Sequence, residues 1–173
     1  MAHILFESQY GSTKQYAEEL AQRLNTSAEP LRDAGVPAGD DPIIVMSYVH
    51  GPTLPAAAWI AEHAKELDLG ARPVAVAAVG MSLSDYARER DQVGHMLGSR
   101  ADHVKRFYLP GRLNYSELSG THGKVMTGII TAIRLKPGKS DNDRSMISSY
   151  NRDVDRVDVD ELGPIVAWAK RVG

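Results

Sequence analysis

Three unbroken apolar runs constrain this chain more than any other feature in it. Ala2 to Phe6, Pro42 to Ser47 (with Ile43, Ile44, Val45 and Met46 in succession) and Pro73 to Val79 lack the alternation of a strand with one wet face. A strand that is apolar on both faces needs cover on both, which is the condition of a parallel sheet held between two layers of helices. Each run leads into a polar loop, and each loop into a segment of helical period. Ala17, Leu20, Ala21 and Leu24 share one face after the first run, and Ala57, Ile60, Ala64 and Leu67 after the second. After the third, Asp85 to Leu97 reads as a polar helix with Val93, Met96 and Leu97 as its apolar contribution. Alternation of this kind gives a doubly wound α/β sheet, whose right-handed crossovers gather the loops at the carboxyl ends of the strands.

The weaker segments complete the pattern. Ser12 with Gln15 resembles a capping box, so the first helix is expected to start near Thr13. Pro55 suits the first turn of the second helix, where its missing N–H has no partner to lose. Thr26 to Arg32 is read as a short strand, Gly35 to Pro42 as a loop and His103 to Leu109 as the last strand. Asp158 to Val172 is read as a closing helix, capped by Asp158, with Leu162, Ile165, Val166 and Ala169 on one side and Pro164 as its weak point. Pro110 to Arg156 is too long for a simple connection and is read as an insert within a single domain spanning residues 1–173.

Composition removes several chemistries. The chain has no cysteine, which excludes a disulfide scaffold, a thiol nucleophile and an iron–sulfur cluster and suits a reducing cytoplasm. No leader pattern opens the sequence and no stretch approaches the roughly 20 apolar residues of a spanning helix. The net charge of −2 argues against a strongly acidic docking surface. The six histidines form no metal motif, and His103 and His122 are read as surface or structural residues. No catalytic side chain, metal site or nucleic-acid partner is expected.

Three loops are placed to meet one ligand. The first is Ser8-Gln9-Tyr10-Gly11-Ser12-Thr13. Its hydroxyls and the amides of the following helix suit a phosphate, and Gly11 admits a close backbone approach. Neither G-x-x-x-x-G-K-[ST] nor G-x-G-x-x-G is present, which favours a monophosphate held by hydrogen bonds and dipole over a nucleoside triphosphate with magnesium. The same residues also suit a plain helix cap, and the loop alone leaves both readings open. The second loop is Tyr48-Val49-His50-Gly51-Pro52-Thr53, and the third is Gly80-Met81-Ser82-Leu83-Ser84, with Asp85 and Tyr86 opening the next helix. As ordinary structure these would be a proline-bounded turn and a helix capped by Ser84.

The segment Ser8 to Thr13 resembles the flavodoxin phosphate loop, [ST]-x-[ST]-G-x-T, with Tyr10 in place of the usual hydroxyl residue at the third position. The wider stretch S-Q-Y-G-S-T-K-Q-Y-A-E, the Ile43 to Ser47 run with its loop, and Arg106-Phe107-Tyr108-Leu109-Pro110-Gly111-Arg112-Leu113-Asn114-Tyr115 resemble the flavodoxin-domain group that includes the menaquinone-dependent protoporphyrinogen dehydrogenases. The resemblance implies a three-layer sandwich with five parallel strands in the order 2-1-3-4-5 and a bound flavin mononucleotide, FMN. It also implies roles. Ser8, Gln9, Tyr10, Gly11, Ser12 and Thr13 would hold the phosphate. Tyr48, Val49, His50 and Gly51 would cover the ring, Gly51 allowing the peptide movement that accompanies protonation at flavin N5. Gly80, Met81, Ser82 and Leu83 would meet the pyrimidine edge, with Tyr86 as an aromatic wall.

The insert separates the functional readings. From Pro110 to Arg152 it carries seven basic residues (Arg112, Lys124, Arg134, Lys136, Lys139, Arg144 and Arg152) against three acidic ones (Glu117, Asp141 and Asp143). Val125, Met126, Ile129, Ile130 and Ile133 fall at helical spacing within His122 to Leu135, giving an amphipathic helix with basic flanks. Such a helix packs on a sheet edge, or serves as a lid or docking element for a quinone, an anionic substrate or a membrane surface. The favoured reading is an FMN-dependent oxidoreductase that passes electrons from a reduced organic substrate to a quinone-type acceptor, with peripheral contact at a membrane through the basic insert. The alternatives are an electron carrier, which usually docks through an acidic face, and an NAD(P)H:quinone reductase, for which no dinucleotide fingerprint is present. A receiver-type signalling module would need an acidic cluster after the first strand, where only Glu7 stands.

Overall fold

The computed structural model describes residues 1–117 and 120–173, apart from the side chains of Thr121 and His122. The reading of His122 as a surface residue therefore lies outside the described residues. Strands β1 (His3–Glu7), β2 (Ala28–Pro30), β3 (Ile43–Tyr48), β4 (Val74–Gly80) and β5 (Val104–Pro110) form the expected parallel sheet in the order β2-β1-β3-β4-β5. The three apolar runs are its centre: Ile4 pairs with Ile44, and Ile44 with Ala75.

Side chains alternate between two cores. On one face Leu5, Val45 and Val76 pack beneath α2 (Pro55–Glu62), α3 (Ser84–Arg90) and α4 (Gln92–Leu97), through Trp59, Ile60, Ala87 and Leu97. On the other, Ile4, Ile44, Met46 and Ala77 pack beneath α1 (Ser12–Leu24) and α7 (Gly163–Val172), through Tyr16, Leu20, Ile165 and Trp168. The continuous apolar pattern is thus the sequence image of burial from two sides.

Several boundaries differ from the sequence reading, each for a local reason. The first helix has Gly11 as its N-cap at φ 82°, with no side-chain cap; Ser12 is already helical, so its hydroxyl does not close a capping box. Ser84 likewise begins α3 instead of capping it, because Leu83 occupies the cap position. The single polar helix over 85–97 is two helices. Asp91 adopts φ 42°, and its carboxylate accepts from the Gly94 amide (3.2 Å) and from Arg106 Nε (2.9 Å), which fixes the break. The second helix ends at Glu62, and Leu67 stays fully buried in the turns beyond it. Asp158 does cap, accepting from the Asp160 amide at 3.0 Å, but the turn it starts is a 3-10 helix. Pro164 then stands in the first turn of α7, where proline is tolerated.

After β5 the chain forms a small antiparallel ribbon, β6 (Arg112–Leu113) with β7 (Val154–Asp155), and between its strands run α5 (Gly120–Leu135) and α6 (Asp141–Ser149). Tyr16 ties the end of β5 to the closing segment. Wholly buried, it donates to the Pro110 carbonyl at 2.7 Å and accepts from the Asp158 amide at 2.8 Å. Burial pushes its phenol up to about 12, so it remains a donor at every working pH. Tyr16→Phe strands one carbonyl and one amide, and should lower unfolding stability by about 1–3 kcal/mol in a denaturant titration. An unchanged midpoint would show that water replaces the hydroxyl.

Candidate functional site

The loops after β1, β3 and β4 open at one edge of the sheet. The first turns through Gly11, whose φ of 82° favours glycine, and delivers Ser12 and Thr13 into the first turn of α1. Both are buried, Thr13 to 1% exposure. The hydroxyls of Ser8 and Thr13 are buried with no hydrogen-bond partner among the described residues. A buried hydroxyl without a partner costs roughly 1–3 kcal/mol. Two of them in one loop, at the start of a helix whose first amides lack intrahelical acceptors, match what an anion with several oxygens requires. The phosphate of FMN fits that requirement.

Aromatic rings bridge the first and second loops. His50 lies 5.9 Å from the Tyr10 ring and 5.0 Å from the Tyr48 ring, centroid to centroid. Burial, with Glu117 and Tyr48 adding to it, pushes the Tyr10 phenol up, so it stays neutral. The second loop is closed on itself by paired backbone bonds between His50 and Thr53 (3.0 and 2.9 Å), which leave Gly51 exposed at φ 53°. Ser47, at the end of β3, accepts from the Ala56 amide at 3.0 Å, so one hydroxyl fixes where the loop leaves the sheet and where α2 begins.

The third loop starts from a crowded point. A Cβ on Gly80 would lie 2.5 Å from Tyr108 Oη and 2.6 Å from Val49 Cγ1, so only glycine lets these strands end side by side. Val49 also donates its amide to Val79 at 2.9 Å, joining the second and third loops. Beyond Gly80 the insert takes hold. The Leu83 amide donates to Asn142 Oδ1 (2.8 Å), Arg156 Nη1 donates to the Met81 carbonyl (3.1 Å), and Tyr108 Oη donates to the Ser82 carbonyl (3.4 Å). The Leu83 amide is therefore engaged within the protein. The Tyr86 ring carries Arg90 at 5.1 Å.

Sequence reasoning singled out the three loops but set them apart from the insert. The structure joins them: Asn142 and Arg156 hold the third loop, and Arg112 lies against the first. Arg112 Nη1 is 3.7 Å from where a Cβ on Gly11 would lie, and Nη2 donates to Gln15 Oε1 on α1 at 3.1 Å. These residues lie tens of positions beyond the loops they touch. The one local signal was the Ser140–Asp143 capping box, which fixes the start of α6 and with it Asn142. Among the described residues no cluster of His, Asp and Glu is placed to hold a metal.

The unpartnered hydroxyl makes a prediction about the ligand-free protein. Thr13→Val removes it at constant shape, so it should raise unfolding stability by about 1 kcal/mol without flavin while weakening flavin binding. Thermal melts with and without FMN check both signs. A loss of stability in the ligand-free state would mean the hydroxyl has a partner of its own.

Comparison with known proteins agrees with this geometry. No curated protein sequence matches the chain. A family model described as a flavodoxin domain matches residues 3–141, which takes in all five strands of the sheet, the three loops and α5. A sheet in the order 2-1-3-4-5 and a family match over most of the sequence place the chain in the flavodoxin-domain family, whose members bind FMN.

Proposed function

We propose that the chain is an FMN oxidoreductase that passes electrons from a reduced organic donor to a quinone-type acceptor, as the resemblance to the protoporphyrinogen dehydrogenases implies. The observation that carries the cofactor is the pair of buried hydroxyls, Ser8 and Thr13, left without partners at the start of α1. FMN supplies the electron-carrying chemistry; the protein supplies position and access. Ser8, Ser12, Thr13 and the first amides of α1 hold the phosphate. The partly exposed rings of Tyr10 and Tyr48, 5.9 and 5.0 Å from that of His50, would with it cover one side of the flavin. Gly51 is exposed, a Cβ there would meet nothing, and its carbonyl accepts from Gln92 Nε2 at 3.2 Å, so its peptide would be the one able to turn beside the ring on releasing that single side-chain bond.

The insert supports an outside partner that is flat and apolar. Helix α5 buries Ile130 and half-buries Met126, Ile129 and Ile133, yet leaves Val125 55% and Leu135 80% exposed. Lys124 and Arg134 stand exposed on the same helix. Lys136 differs, because its ammonium is paired with the buried Asp143 at 2.8 Å and so belongs to the support of α6. Through α6 this amphipathic element is anchored to the third loop by Asn142. An apolar stripe with basic flanks, fixed beside the loop edge, suits a quinone delivered from an anionic lipid surface. No helix among the described residues is long and apolar enough to cross a membrane, so contact of this kind would be peripheral.

Two measurements test the proposal. Denaturation of the purified protein followed by chromatography should release FMN; recovery of FAD, or failure to take up any flavin on reconstitution, would overturn the cofactor reading. The second compares pre-reduced wild type with the variant Lys124→Gln/Val125→Gln/Arg134→Gln, oxidised by a water-soluble and by a vesicle-borne quinone. The variant should keep its FMN and its rate with the soluble quinone while losing rate with the vesicle-borne one, and the difference should shrink in high salt. Equal rates throughout would remove the insert from electron transfer and favour an electron carrier.

A further inference from the structure

We propose that Arg112 is the counter-charge for the flavin phosphate, and that Asp155 aims it, so that this chain selects phosphorylated flavin over riboflavin. The proposal rests on the reading of residues 8–13 as the phosphate site.

The loop has a deficit that its own residues do not fill. A phosphate monoester carries about −1.5 to −2 charges at pH 7. Residues 8–13 contain no cation, and a helix N-terminus contributes the equivalent of roughly half a positive charge. Hydroxyl and amide donors orient the oxygens but leave most of the charge unbalanced. A guanidinium is the side chain best suited to that role, because it is always charged and its donors are fixed in a plane.

Arg112 is held in place to provide one. Its backbone position is set from both sides: the Gly111 amide donates to the Gly80 carbonyl at 2.7 Å, and the Arg156 amide to the Gly111 carbonyl at 3.1 Å. The β6–β7 register then places Asp155 opposite Arg112. Asp155 Oδ2 takes Nε at 2.9 Å and Nη2 at 2.7 Å, so both bonds lie along one edge of the guanidinium. The other terminal nitrogen, Nη1, is the one against Gly11, and among the described residues it has no acceptor. The side chain is only 25% exposed and is braced on α1 by Gln15, whose amide bonds the Gly11 carbonyl at 3.0 Å. Glycine at position 11 permits the positive φ, and the guanidinium lies close beside the turn, at van der Waals distance from where a Cβ would stand.

Asp155 keeps this aim at neutral pH. Partial burial pushes its carboxyl up, but the Arg112 donors and the Val157 amide outweigh burial and hold it below the usual carboxylate range. Its charge sits on the guanidinium edge away from Gly11, so it orients the cation without standing between Nη1 and the loop. The residue that would meet the phosphate is also the first residue of the ribbon from which the insert grows.

The test titrates flavin-stripped protein with FMN and with riboflavin, following flavin fluorescence, for wild type, Arg112→Gln, Arg112→Lys and Thr13→Val. Arg112→Gln should weaken FMN binding about tenfold or more and leave riboflavin binding unchanged, the span expected for losing a charge-assisted contact. Arg112→Lys should recover part of the loss. If Thr13→Val lowers the preference for FMN and Arg112→Gln does not, Arg112 has no part in phosphate binding while the phosphate loop stands. If neither variant changes the preference, the phosphate reading fails and this proposal with it. Should Arg112→Gln not fold, wild type decides: FMN affinity must fall with added potassium chloride while riboflavin affinity does not, and a salt-independent FMN affinity overturns the proposal.

Discussion

Burial of β3 and β4 on both faces is the constraint from which the rest follows. From Ile43 to Ser47 and from Val74 to Gly80 every residue is buried. Strands of that kind pair in parallel and force each connection across a helical layer, so successive loops return to the same edge. The three candidate loops therefore lie together, each leaving the sheet at the carboxyl end of its strand. Gly80 marks the limit of this packing, where Val49 and Tyr108 close over a position that has no room for a Cβ.

At that edge the structure keeps polar groups unsatisfied. Elsewhere in the core the buried hydroxyls are matched: Tyr16 with Pro110 and Asp158, Ser47 with Ala56 and Tyr48. Ser8 and Thr13 are the contrast, and both belong to one loop at one helix start. The other such atom among the described residues, Arg72 Nη2, stands alone on a guanidinium already bonded to the Asp41 and Pro37 carbonyls, whereas the first loop brings two unmatched hydroxyls together at a helix start, which makes it the candidate site. Two clefts flank β5 at the sheet edge, lined by Arg106, Lys105 and Val104, away from the three loops.

The insert is part of the site's architecture. Its ribbon begins within bonding distance of Gly80, its α6 supplies Asn142 to Leu83, and Arg156 at its far end reaches Met81, Ser145 and Ser149.

The sequence by itself determined the sheet and, through the family resemblance, its order, and it marked the loop after β1 as a candidate site, because these depend on short-range pattern: continuous apolar runs, helical spacing, and Ser, Gly and Thr at fixed offsets. It misplaced details that depend on backbone dihedrals. The left-handed turns at Gly11 and Asp91 moved one cap and split one helix, and hydroxyls at positions 12 and 84 looked like caps because Ser suits both a cap and a first turn. Only the tertiary structure decided which loops the insert touches. Arg112 lies 101 residues from Gly11 along the chain, and nothing in their spacing brings them together. Their contact exists because the parallel sheet returns the end of β5 to the level of the first loop, and because Asp155, 43 residues further on, fixes the direction of the guanidinium.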